Sequence, residues 1–255
     1  MPAGVYFAFK DPTLHKMPLL KKSLLSLCLS LLVLACQTKQ RPAPQVHVVG
    51  AMKETMWSGQ LQGKVLPDTI ADREGLYGLG PNSYLRGELL LKEGRSYLST
   101  VTSDSSMKVE ENPAVSAPFF VYSRVSKWEE LTLPEQVQDI PALQDFIDQQ
   151  SRDLPRPFAF KLKGEVKAAR IHIQNLPEGT KVSSPAEAHQ GQVDYVLNDE
   201  AVEVIGFFST EHQGVFTHHD SWLHMHLMTT DEQQMGHLDA LQPGNMTLYL
   251  PVHTR

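Results

Sequence analysis

The chain has 255 residues, 41% of them hydrophobic, which suits one large domain or two small ones built around a substantial core. Its formal net charge of −6 excludes a dominant electrostatic attraction to nucleic acid. Two cysteines, Cys28 and Cys36, are too few for a disulfide framework.

The beginning does not read as part of the core. Residues 1–16 carry little pattern, and Met17 is the better start. Lys21-Lys22 then forms a positive n-region, and Ser23 to Ala35 a short apolar run ending in Val33-Leu34-Ala35-Cys36. Such a run is a secretory signal, too short for a comfortable membrane span. A cysteine directly after a small residue at the cleavage point resembles a bacterial lipobox, with Cys36 as the lipidated first residue. The alternative is an ordinary signal peptide with an incidental cysteine. Residues 1–35 hold Lys10, Lys16, Lys21, Lys22 and Asp11, so their removal leaves 19 basic against 28 acidic side chains, a net −9. The mature domain then has no thiol and folds without disulfides despite export. Residues 36–45, with Pro42 and Pro44, read as a tether.

An N-terminal mixed α/β half is expected over residues 46–152. Met52, Met56 and Trp57 have helical spacing, which predicts a short amphipathic helix whose stripe is core. Gly75 to Pro81 reads as a strand. Arg86 to Leu91, the turn Lys92-Glu93-Gly94-Arg95 and Ser96 to Val101 read as a hairpin. Glu88 heads an apolar strand, where an unpaired carboxylate is costly to bury; a solvated strand end and a catalytic acid both fit. Pro118 to Tyr122 is another β run. Thr132-Leu133-Pro134-Glu135 has capping-box spacing, and Pro141 restarts a helix whose stripe is Leu143, Phe146 and Ile147.

Asp153 to Pro157 breaks the chain, and residues 153–255 form the second expected half. Short runs at 158–162, 166–173, 193–197, 202–209, 222–228 and 246–252 predict an antiparallel, barrel-like sheet. The fold class expected is therefore α+β: an N-terminal mixed sheet with short helices, then a C-terminal barrel-like sheet carrying a metal site.

The metal site rests on His224-Met225-His226, followed eleven residues later by Gly236-His237. Alternation along a strand points His224 and His226 to one face and Met225 and Leu227 to the other. The polar stretch from Thr229 to Gln234 is turn-like, so His237 returns on a neighbouring strand. Three imidazoles with no fourth protein ligand have the layout of a catalytic zinc with one open position. Six of the eleven histidines fall between His212 and His237. His218, His219 and Asp220, in an irregular stretch, and Asp239, two residues after the third ligand, are assigned around the metal or facing substrate. No P-loop, Rossmann fingerprint, zincin helix or nucleophile elbow occurs.

Together these residues resemble the bacterial α-acetolactate decarboxylase family. Gly78-Leu79-Gly80 with Leu85-Arg86-Gly87-Glu88-Leu89 is similar to one of its blocks. Gly206-Phe207-Phe208 through His224-x-His226 to Gly236-His237-x-Asp239 is similar to its metal-binding block. The resemblance implies a zinc held by His224, His226 and His237, Glu88 in the site, and conversion of 2-acetolactate to acetoin and CO2 without an organic cofactor. A 2-hydroxy-3-oxo acid chelates a metal through its hydroxyl and keto oxygens, and Glu88 is the candidate acid that protonates the enediolate. The family's site arginine matches Lys161, in Phe158-Ala159-Phe160-Lys161, and Pro81 replaces a common hydroxyl residue. The family's C-terminal glutamate has no counterpart before Arg255, which leaves His218, His219 or Asp220 to substitute.

The partners expected are a small-molecule substrate, a second copy of the chain, and the membrane through the lipid anchor alone. Two other readings stay open. One is a cupin-like metal oxygenase or isomerase, because His224-x-His226 before Asp231 loosely mimics a cupin pattern. The other is a non-catalytic metal-containing binding lipoprotein.

Overall fold

A computed structural model describes residues 44–252, together with Met1 and Gly4. The leader, Met17 and Cys36 lie outside the described residues. The folded part comprises β1 (Val46–Val49), α1 (Met52–Ser58), β2 (Leu76–Pro81), β3 (Glu88–Lys92), β4 (Arg95–Ser103), β5 (Ser106–Glu111), β6 (Phe120–Arg124) and β7 (Trp128–Thr132). It continues with α2 (Ile140–Gln150), β8 (Phe158–Ile173), α3 (Pro185–Ala188), β9 (Val193–Phe208), β10 (Leu223–Thr229) and β11 (Met235–Pro251).

The first sheet runs β1-β6-β2-β3-β4-β5 and the second β10-β9-β8-β11-β7. All ladders between these strands are antiparallel. The second sheet curls until its edge strand β10 also reaches β11, pairing at His226↔His237, Leu227↔Gly236 and Met228↔Met235. That seam is three pairs long, so the sheet is barrel-like without full closure. β7 and α2 precede the Asp153–Pro157 break, yet they join the second sheet and its core.

Alternation explains the layers. Leu223, Met225 and Leu227 turn into the curled sheet with Phe160, Leu162 and Leu248, and Leu143 and Ile147 of α2 seal that core. The opposite face of the same strands packs on the first sheet, where Tyr77, Leu79 and Val121 meet Ile205, Phe207 and Met228.

The hairpin of β3 and β4 and the helix at α2 match the sequence pattern. Two expectations are corrected. No helix starts at the capping-box spacing of Thr132, because Thr132 pairs with Thr247 and the Leu133 N–H donates to the Met246 carbonyl. Asp139 caps α2 instead, its carboxylate accepting from the Ala142 N–H at 2.8 Å. The separate strands read at 158–162 and 166–173, and at 193–197 and 202–209, are two 16-residue strands. Their turn-like residues sit inside continuous ladders; Asp199 takes a φ of +53° within β9.

A candidate metal centre between the two sheets

His224 and His226 occupy the face of β10 that looks toward the first sheet, and β11 brings His237 opposite His226. Ring centroids lie 5.0–5.5 Å apart within the trio, and one ligand atom from each falls within 4.8 Å of the others. Gly236 allows this approach: a Cβ there would stand 2.6 Å from the His172 carbonyl oxygen.

All three rings are buried, His226 completely. His224 Nδ1 and both nitrogens of His226 have no hydrogen-bond partner. Burying such a group unsatisfied costs about 1–3 kcal/mol, so the trio fits a cation that accepts those lone pairs. Burial holds His224 and His237 well below the usual imidazole range and drives His226 down to about 3. Neutral imidazoles are the form that binds metal.

Glu88 enters from β3, its Oε2 3.6 Å from His226 Nε2. The loop before it is laced to the end of β8: the Gly87 N–H donates to the Gln174 carbonyl, the Leu176 N–H to the Leu85 carbonyl, and the Gln174 N–H to Glu88 Oε1 at 3.2 Å. Gly87 has a φ of +112°, and a Cβ would meet the Ser99 carbonyl at 2.4 Å, so only glycine serves there. With 2% of its surface exposed, Glu88 is no solvated strand end. Burial, only partly offset by His172 and the Gln174 N–H, pushes its pKa up to about 8.

His172 was not foreseen. It pairs with His237 across β8 and β11, the rings 4.6 Å apart, and its Nδ1 lies 2.8 Å from Asp239 Oδ2. Burial opposes charge on His172, but Asp239 and Glu88 outweigh it and raise its pKa. Asp239 reaches it through a bulge: Leu238 pairs with Ile171 and Ala240 with Arg170, leaving Asp239 unpaired and turned inward. A cavity of about 30 Å³ lies over these groups, walled also by Met52, Met56, Pro81, Phe119, Gln174, His189 and His218.

The other expected residues divide. The His218 ring lies 5.2 Å from that of His237, tilted by 58°, and faces the cavity. Asp220 is exposed and lines an adjoining space of about 370 Å³ with His218, His237 and Asp239. His219 is exposed and touches neither space. Lys161 is not in the wall of the histidine cavity. It lies across β9 from His226, both pairing with Ile205. Its ammonium turns the other way, over the rings of Tyr77, Trp128 and Tyr249 and 3.8 Å from Glu203. His172 and His189 carried no signal beyond a histidine in an alternating strand and another in a polar stretch.

The fold and site define a two-sheet, predominantly β protein with a buried three-histidine group able to hold a metal ion. The model of the alpha-acetolactate decarboxylase family matches residues 46–254, and the chain belongs to that family. The fold is shared with alpha-acetolactate decarboxylase from Bacillus subtilis strain 168, at 19% identity and a TM-score of 0.67, with 82% of this chain and 86% of that one covered. It is also shared with a Staphylococcus aureus protein of unknown function similar to that enzyme, at 16% identity and a TM-score of 0.66, covering 80% and 84%. No curated protein matches the chain.

Proposed function

We propose that the protein decarboxylates 2-acetolactate, or a closely related 2-hydroxy-3-oxo acid, to acetoin and CO2, with zinc held by His224, His226 and His237. The observation that carries this reading is the buried imidazole trio beside Glu88, with His224 Nδ1 and both nitrogens of His226 unpartnered. A zinc ion there supplies Lewis acidity toward the hydroxyl and keto oxygens of the substrate. The chain's own residues do the rest. Cleavage of the bond to the carboxylate leaves an electron pair that moves onto the keto oxygen. Glu88 carries a proton at neutral pH, because burial raises its pKa to about 8, and delivers it to the carbon that lost CO2. Met52, Met56 and Phe119 keep bulk water from that carbon.

The lipobox-like Val33-Leu34-Ala35-Cys36 and the proline-containing tether support export and anchoring through Cys36. The substrate is then met outside the cytoplasm.

The test is metal analysis of the purified protein coupled to an acetoin assay with racemic acetolactate. Glu88→Gln is expected to keep its zinc and lose about 100-fold or more in turnover, the usual scale of a general acid. Near-normal turnover in that variant moves the acid elsewhere. No acetoin from the fully metal-loaded protein rejects the decarboxylase reading and leaves the binding lipoprotein. Bound iron with oxygen consumption favours the oxygenase.

A further inference from the structure

The cavity contains more metal-binding groups than one ion uses. Three imidazoles and one open position complete a catalytic zinc, yet His172, His189 and His218 wall the same cavity, and Asp239 lines the adjoining space with His218 and His237. One ligand atom from each of His172, His237 and Asp239 also falls within 4.8 Å of the others, a second set that shares His237 with the first. To serve an ion on either side, His237 would bind as the imidazolate, one ring nitrogen to each, its N–H proton leaving to solvent as the second ion enters.

We propose that this second set is a second binding position for a divalent transition-metal ion, adjacent to the first. The bulge at Asp239 is the first argument. An extra residue costs ladder pairing, and here it turns a carboxylate back toward the ring of the neighbouring strand. The spacing is the second. Both Asp239 oxygens approach His172 Nδ1, at 2.8 and 3.0 Å. Adjacent ligands on an ion with bonds of about 2.0–2.1 Å stand roughly 3 Å apart, so the pair already has close to the spacing of two ligands on one ion.

Charge is the third argument, and it rests on the decarboxylase reading. A substrate with a carboxylate needs positive charge, but no lysine or arginine is in the wall of the inner cavity. Lys161 is committed to Glu203 and three aromatic rings. A second cation beside the first fills that need with residues already in place.

The test is a zinc titration of the chelator-stripped full chain, with bound zinc counted by mass spectrometry after removal of free ion. The wild type is expected to reach two zinc ions per chain, the second binding more weakly. His172→Gln and Asp239→Asn are each expected to saturate at one, keeping the tighter site, with unchanged circular dichroism. One ion per chain in the wild type at every concentration overturns the proposal and leaves His172 and Asp239 as a hydrogen-bonded brace; so do two ions retained in both variants. The outcome separates from the activity reading. Two ions without acetoin leave this proposal and reject the decarboxylase, whereas acetoin formed with one ion does the reverse.

Discussion

Two polar clusters lie between the same pair of sheets, one half-buried and one buried, and they are built on opposite principles. Around Lys161 each charge has a partner: Glu203 lies 3.8 Å from Lys161 and 3.6 Å from Lys92, and Lys92 lies 3.4 Å from Glu232. Aromatic faces surround the Lys161 ammonium. Around His226 the nitrogens are bare. A self-satisfied cluster joins two layers, whereas an unsatisfied one carries a desolvation cost that a bound ion removes. The lysine that sequence similarity placed in the site belongs to the first kind.

The largest effect expected from breaking this contrast is in the histidine cluster. His226→Ala should lower zinc affinity by several orders of magnitude, read by competition with a chromogenic chelator. Unchanged occupancy removes His226 from the ligand set. Acid should act next. In the metal-free protein His226 stays neutral down to about 3 while the unfolded chain takes up protons below 6.5. The folded state then binds fewer protons, so stability falls as pH drops through that window. Glu88 works the other way. Its folded pKa of about 8 exceeds the ordinary 4.5, so its contribution is full below 4.5 and is lost as pH rises to 8. Denaturant melts across pH should show both slopes, and Glu88→Gln should remove only the alkaline one.

Smaller effects belong to the satisfied cluster. Lys161→Met leaves Glu203 its Lys92 partner at 3.6 Å but removes the cation held over three aromatic rings, and should cost about 2 kcal/mol, measured by urea unfolding, with zinc content and turnover intact. A large loss of turnover at unchanged stability would break the contrast outright. Lys92→Met, which leaves Glu203 its Lys161 partner, should cost about 1 kcal/mol. An equal or larger loss would mean that the two lysines are not redundant.

Much of this arrangement was legible from local rules. Period-two alternation fixed which face of β10 carries His224 and His226, and the polar turn at Thr229–Gln234 marked the return of His237 on a neighbouring strand. What escaped was the register between distant strands. His172 meets His237 because β8 and β11 pair with a stagger that no local pattern records, and Asp239 turns inward because of a bulge. Lys161 was assigned by its match to the family's arginine, and a matched position does not say which way a long, flexible side chain leans. The capping-box spacing at Thr132 failed because a strand pairing outcompeted a local helix start.

The three-pair seam between β10 and β11 has a mechanical consequence. Two of the proposed ligands, His226 and His237, face each other on it, so a bound ion would fasten strands that otherwise share only three rungs. Withdrawing the ion should loosen that clasp before the rest of the curled sheet, opening the Thr229–Gln234 turn first to amide exchange and to protease.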